Sequence, residues 1–201
     1  MKKSRKAFTL VELLIVIVVI GILAGMMMLY GAEAASSAKA ARIIGDMAQI
    51  KKAVHLWYLN NHDRVNPDKD DRGVYKVKVK GMAKPQQVSD FISGTGGPEI
   101  MAYISNRNKN FKLKSKKNCT TEGEYAVAAL ADSRLWYVCY NLGTDESSRR
   151  LKKKIAARQS SSQLIGAKNI NVNGADGVGN ATKNPYKDQK YVCMLIFKLG
   201  D

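Results

Sequence analysis

The chain has 201 residues, a formal net charge of +16, two histidines and three cysteines. That length allows one modest globular domain beside an extended segment, and so strong a basic excess points to anionic partners or to a solvated cationic surface. Metal-ligand spacing, a phosphate-binding glycine loop and a nucleophile elbow are all lacking, so the expectation is a protein that is not an enzyme and holds no cofactor.

The first element decides most about the chain. Lys2, Lys3, Arg5 and Lys6 precede a run from Leu13 to Ala32 that carries no charged side chain. A helix of that length, at about 1.5 Å per residue, measures about 30 Å, the thickness of a bilayer core. The upstream cations predict a cytoplasmic N-terminus and an exported remainder by the positive-inside bias. The run is longer than the apolar region of a secretory signal peptide. Past it, Glu33, Ser36, Ser37 and Lys39 continue a helical pattern where a signal peptide would place a cleavage loop. Glu12 interrupts the near side. A carboxylate at the bilayer edge of a spanning helix costs about 2–3 kcal/mol and marks a function or a partner.

Lys6-Ala7-Phe8-Thr9-Leu10-Val11-Glu12, with the basic leader before it and the apolar helix after it, resembles the class III leader of type IV pilins and type II secretion pseudopilins. The resemblance implies cleavage by a membrane-embedded prepilin peptidase between Ala7 and Phe8, with N-methylation of the new N-terminal Phe8. Ala7 departs from the glycine usual before the cut, but is small enough for a tight cleavage site. The resemblance further implies assembly with other pilin subunits, driven by an assembly ATPase acting through a platform protein. It implies residence as a single-pass protein among inner (cytoplasmic) membrane lipids, followed by export into an extracellular pilus or a periplasmic pseudopilus. Cleavage leaves an α-amino group, with an ordinary pKa of about 8, one helical turn from Glu12. Two readings of Glu12 follow. In a bundle it neutralises the amino terminus of a neighbouring subunit and fixes axial register; alone, it snorkels to the headgroups.

Proline is absent from Phe8 to Asn66, and the helix is expected to continue to about Asn60. Ile43, Met47, Ile50, Val54 and Trp57 recur at steps of four and three and define one apolar face, with Arg42, Asp46, Gln49 and Lys52 mostly off it. Gly21 and Gly25 stand one turn apart in the apolar half. They either permit close approach of helices in a filament core or reflect the ordinary tolerance of membrane helices for glycine.

The 141 residues from 61 to 201 suit one globular domain. Residues 75–80 alternate in the manner of a strand with Lys76, Lys78 and Lys80 on a wet face. Pro98 is expected to open a short helix. Residues 124–130 and 135–140 predict a hairpin turning near Asp132, residues 147–164 a helix with Leu151 and Ile155 inward, and residues 190–197 a further strand. Cys119, Cys139 and Cys193 lie in the exported part, where a disulfide is permitted. In the hairpin Cys139 faces the region of Ala126, leaving Cys119 beyond the paired end, and Cys139 with Cys193 is the favoured bridge. The alternative is three buried free thiols. Losing the leader leaves 29 cations against 17 anions, a net of +12. Two basic clusters, Lys109 to Lys117 and Arg149, Arg150, Lys152, Lys153, Lys154 with Arg158, are candidate contacts for a polyanion such as DNA. Without an aromatic platform they read first as a solvated face. The residues from Asn171 to Gly177 offer at most a weak calcium candidate, Asp176 with Asp188, and a loop is the simpler reading.

The sequence therefore predicts an α+β, pilin-like fold: one long N-terminal helix, its first half transmembrane, packed against a C-terminal antiparallel sheet. The expected organisation is a cleaved leader at 1–7, a transmembrane assembly helix at 8–32, its amphipathic continuation at 33–60 and a head at 61–201. The expected function is a structural subunit of a type IV pilus or related filament. The alternatives are a type II secretion pseudopilin and a DNA-binding competence minor pilin.

Overall fold

A computed structural model describes residues 8–62, 76–77, 86–87, 96–104, 113–114, 119–129, 135–170 and 185–198. Helix α1 runs unbroken over Leu10–Asn60, 51 residues, or about 76 Å at 1.5 Å per residue. Strands β1 (Lys76–Val77) and β2 (Gln86–Gln87) form a small antiparallel pair. Helix α2 covers Gly96–Met101, followed by β3 (Leu113–Lys114), β4 (Tyr125–Ala129) and β5 (Leu135–Asn141). A 3-10 turn at Glu146–Ser148 leads into α3 (Arg149–Ala156), α4 (Gln159–Ser162), β6 (Leu164–Ala167) and β7 (Tyr191–Lys198).

The main sheet has five strands in the order β3-β4-β5-β7-β6. It is antiparallel from β4 to β6, whereas β3 joins β4 in parallel, so the sheet is mixed where a purely antiparallel one was expected. The predicted hairpin forms, with Ala126 opposite Cys139.

Alternation along the strands creates two apolar layers. Tyr125, Val127, Trp136, Val138, Tyr140, Val192 and Met194 face α1 and α3. Ala126, Ala128, Tyr137, Cys139, Tyr191 and Cys193 form a second cluster with Cys119. A register shift between Trp136 and Tyr137 breaks the alternation, pairing Trp136 with Phe197 and Tyr137 with Leu195. A bulge of this kind turns two successive residues toward one side. Both Ile196 and Phe197 thereby join the core under α1. Phe197 stacks on Trp136 at 4.9 Å and on Tyr58 of α1 at 4.7 Å, tying the end of the long helix to the sheet.

The stripe read from sequence is the face that packs: Ile43, Met47, Ile50, Val54 and Trp57 are all buried. Burial of each such side chain is worth about 1.5–3 kcal/mol, which makes this seam the main attachment of α1 to the head. Asp46 differs from expectation, since it lies buried within the same seam. It sits three residues after Ile43 and four before Ile50, a spacing that keeps it on their face. Tyr125 donates its hydroxyl to Asp46 Oδ2 at 3.0 Å, and Arg42 Nε stands 3.8 Å from the same oxygen.

Other boundaries also differ. The helix expected over 147–164 breaks at Ala157–Arg158, and Leu164 belongs to β6. Gln163 adopts a left-handed conformation, φ 50°, at the end of α4, which stops the helix and turns the chain into the sheet. Helix α2 starts at Gly96, so Pro98 is its third residue. The missing N–H still falls in the first turn, where no intrahelical partner exists. The alternation expected over 75–80 is described only at Lys76 and Val77, and Lys78 and Lys80 lie outside the described residues.

Candidate assembly site

Among the described residues, the apolar run of α1 from Leu10 to Tyr30 is not buried against the head. From Leu10 to Tyr30 its large apolar side chains are exposed wherever described, and Phe8 is 83% exposed. Its most apolar window has a mean hydropathy of 2.8 and none of it is buried. A face this large and this apolar requires lipid or other helices around it. Around Gly21 and Gly25 an added Cβ would meet nothing within 4 Å. Among the described residues their small size therefore serves no packing inside the subunit.

At the helix start the sequence reading missed a local device. Thr9 is the N-cap: its Oγ1 accepts from the Glu12 amide at 3.3 Å, while Glu12 Oε2 accepts from the Thr9 amide and hydroxyl, each at 2.8 Å. This is a capping box, and its signal, Thr-x-x-Glu before an apolar run, was present in the sequence. The cap holds the Glu12 carboxylate rigidly beside residues 8 and 9. Because a carboxylate has about four lone-pair directions, the cap leaves capacity for a further donor.

The junction between the free and packed halves of α1 is clamped by α3. Lys154 Nζ pairs with Glu33 Oε1, and Arg158 Nη2 donates to Ser37 Oγ at 3.0 Å. The hydrogen bond from Lys154, and then its charge, hold the Glu33 carboxyl below its ordinary range. At the far end Trp57 Nε1 donates to Glu99 Oε2 of α2 at 2.9 Å. Helix α1 is thus fixed to the head at both ends of its packed half.

The remaining candidates are dispersed. Cys139 and Cys193 face each other across β5 and β7 and are disulfide-bonded over a separation of 54 residues. Cys119 is a buried free thiol whose pKa burial raises to about 12. Its carbonyl accepts from Tyr191 Oη at 2.9 Å and from Asn141 Nδ2 at 3.3 Å, which docks its segment on the sheet. Within the second basic cluster Lys152 is buried, Arg149 pairs with Glu146 at 2.7 Å, and Lys154 is engaged with Glu33. Of the first cluster the described residues include Lys114, which lies 3.6 Å from Glu124. Asp176 lies outside the described residues, and Asp188 is exposed. Among the described residues no group of three His, Cys, Asp or Glu side chains is gathered to hold a metal.

No curated protein and no solved structure matches this chain. A family model described as the prokaryotic N-terminal methylation motif matches residues 2–28. That segment contains the basic leader, Phe8, the Thr9–Glu12 cap and both glycines, and the families that carry it are structural. The motif implies processing by a prepilin peptidase and assembly with other pilin subunits, and with its single apolar helix it fits a membrane-anchored single-pass protein. The chain therefore carries the N-terminal methylation leader characteristic of type IV pilins and pseudopilins, joined to an α+β head of pilin-like layout.

Proposed function

We propose that the chain is a structural subunit of a type IV pilus or a pilus-like filament, cut between Ala7 and Phe8, methylated on Phe8 and polymerised through the first half of α1. The observation that supports this reading is the pairing of the methylation motif with a helix whose apolar half is unburied among the described residues. In the membrane, lipid covers that half, and in the filament, neighbouring helices do. Glu12 supplies register, because its capped carboxylate meets the α-amino group of an adjacent Phe8. Each charge is costly alone in hydrocarbon, and pairing removes much of that cost.

The test is assembly in a cell carrying a complete pilus or secretion-pseudopilus machinery. Wild-type chain is expected to yield sheared filaments visible by electron microscopy. Glu12→Ala is expected to accumulate in the membrane, folded and cleaved, without polymerising. Filaments of normal yield from Glu12→Ala would remove the register role, and a wild-type chain that never polymerises would remove the filament reading.

A further inference from the structure

Cations of α3 line one wall of a groove at the point where α1 leaves its charge-free run. The groove, of about 930 Å³, is bounded on one side by Ala32, Ser36 and Lys39 of α1 and on the other by Arg149, Arg150 and Lys153. Two carboxylates, Glu122 and Glu146, also line it, and Glu146 is paired with Arg149. Among the described residues Arg150 and Lys153 form no ion pair, and both are exposed, as is Lys39. The Lys154–Glu33 pair fixes this cationic wall against the first charged residue beyond the apolar run. Ala32, the last residue of that run, lines the groove itself.

We infer that this groove is a binding site for the phosphate headgroup of an anionic phospholipid, holding the head on the bilayer surface before the subunit is assembled. The inference rests on the reading that the first half of α1 spans a bilayer. If it does, Ala32 marks the hydrocarbon boundary, and Lys39, Arg150 and Lys153 stand within about two turns of it, at headgroup depth. Juxtamembrane cations attract anionic lipid strongly at that distance, and the attraction fades within a Debye length. A nucleic acid has the same phosphate chemistry, but it would have to reach a groove whose floor is the exit of a membrane helix. The lipid headgroup is the anion already placed there. Seated in this way, the head keeps one orientation to the membrane while Glu12 remains at the opposite end of the spanning helix.

The test uses the full chain reconstituted in nanodiscs of mixed phosphatidylcholine and phosphatidylglycerol, with native mass spectrometry of the lipids retained on release. Retention of phosphatidylglycerol is expected to exceed that of phosphatidylcholine about tenfold, given several cations near the headgroup plane. The preference is expected to vanish in Arg150→Glu/Lys153→Glu and in the milder Arg150→Gln/Lys153→Gln. It is expected to persist in Lys52→Glu, whose reversed charge lies about 20 Å beyond Lys39 along α1. Thermal unfolding of each variant verifies that the head is intact. Equal retention of the two lipids overturns the proposal, as does a preference that survives both double variants. Displacement of the glycerol lipid by a short DNA duplex at equal phosphate would reassign the groove to nucleic acid. Failure of the chain to enter the discs is read separately, from its recovery in the disc fraction, and would overturn the spanning reading itself.

Discussion

Asp46 is a carboxylate on the packing face of α1, a placement that costs several kcal/mol unless hydrogen bonds satisfy it. The Tyr125 hydroxyl and the Arg42 guanidinium meet its Oδ2, and so a potential defect helps to fix how α1 sits on β4. Tyr125→Phe is expected to lower head stability by about 1–2 kcal/mol, read from urea unfolding. An unchanged midpoint would mean that the Tyr125 bond contributes nothing to the seam. Burial raises the pKa of Tyr125, Tyr137, Tyr140, Tyr186 and Tyr191, and for Tyr125 the Asp46 carboxylate adds to it. A phenol whose folded pKa is raised contributes stability that is complete below its ordinary value near 10. That stability is lost as pH rises through the folded values, about 12 for Tyr137. With Cys119, whose thiol is likewise raised from an ordinary value near 9, the head is therefore expected to hold a flat thermal midpoint from neutral pH to about 9 and to lose stability progressively above it, measured by circular dichroism against pH. Cys119, with its thiol raised to about 12 and buried, is expected to resist alkylation until the head is unfolded. Neither the Asp46 contact nor the Thr9 cap appears among the sequence expectations, for different reasons. The cap is local, and its Thr-x-x-Glu pattern lies inside the leader motif, where Glu12 already has a role as a charge. The partner of Asp46 lies 79 residues away, and a carboxylate without a visible partner reads as solvated.

Among the elements, α1 was the most legible, because its packed half keeps one helical period from Ile43 to Trp57 and its apolar half carries no charge from Leu13 to Ala32. The β4–β5 hairpin was legible for a similar reason: residues 124–130 and 135–140 mirror each other about Asp132, which sets Ala126 opposite Cys139. Short elements were not. Leu164–Ala167 is a four-residue apolar run, too brief for periodicity to separate strand from helix, and it continued the pattern of α3. The two-residue strand β3 gains its parallel place from β4 alone, a tertiary effect without a local signal. Two predictions belong at this scale. Met47→Ala in the seam is expected to cost about 2–5 kcal/mol of head stability, measured by denaturant unfolding, whereas Gly21→Ala and Gly25→Ala are expected to leave it unchanged. If the glycines permit close helix approach, those two substitutions will instead reduce filament yield, and a loss of head stability would contradict their isolation from the core. Removing the β5–β7 bridge with Cys139→Ser/Cys193→Ser is expected to lower stability by about 2–4 kcal/mol through the loop that it closes. Equal unfolding midpoints for the bridged and bridgeless chains would contradict that.

At the scale of the whole molecule, the long helix divides into two halves with separate partners. The head buries one side of the second half against the sheet, while the first half leaves its apolar surface exposed among the described residues. Folding of the head and assembly through the helix are therefore expected to respond to different substitutions: the seam governs the first, and Phe8, Glu12 and the glycines govern the second. This division follows if the chain is a prepilin whose leader is cut at Phe8. Intact mass after co-expression with an active prepilin peptidase, together with N-terminal sequencing, tests it most directly. A processed prepilin is expected to lose residues 1–7 and to carry a new N-terminal Phe8 with the added mass of one methyl group. A chain that keeps its leader under an active peptidase would contradict it and would return α1 to the role of a plain membrane anchor.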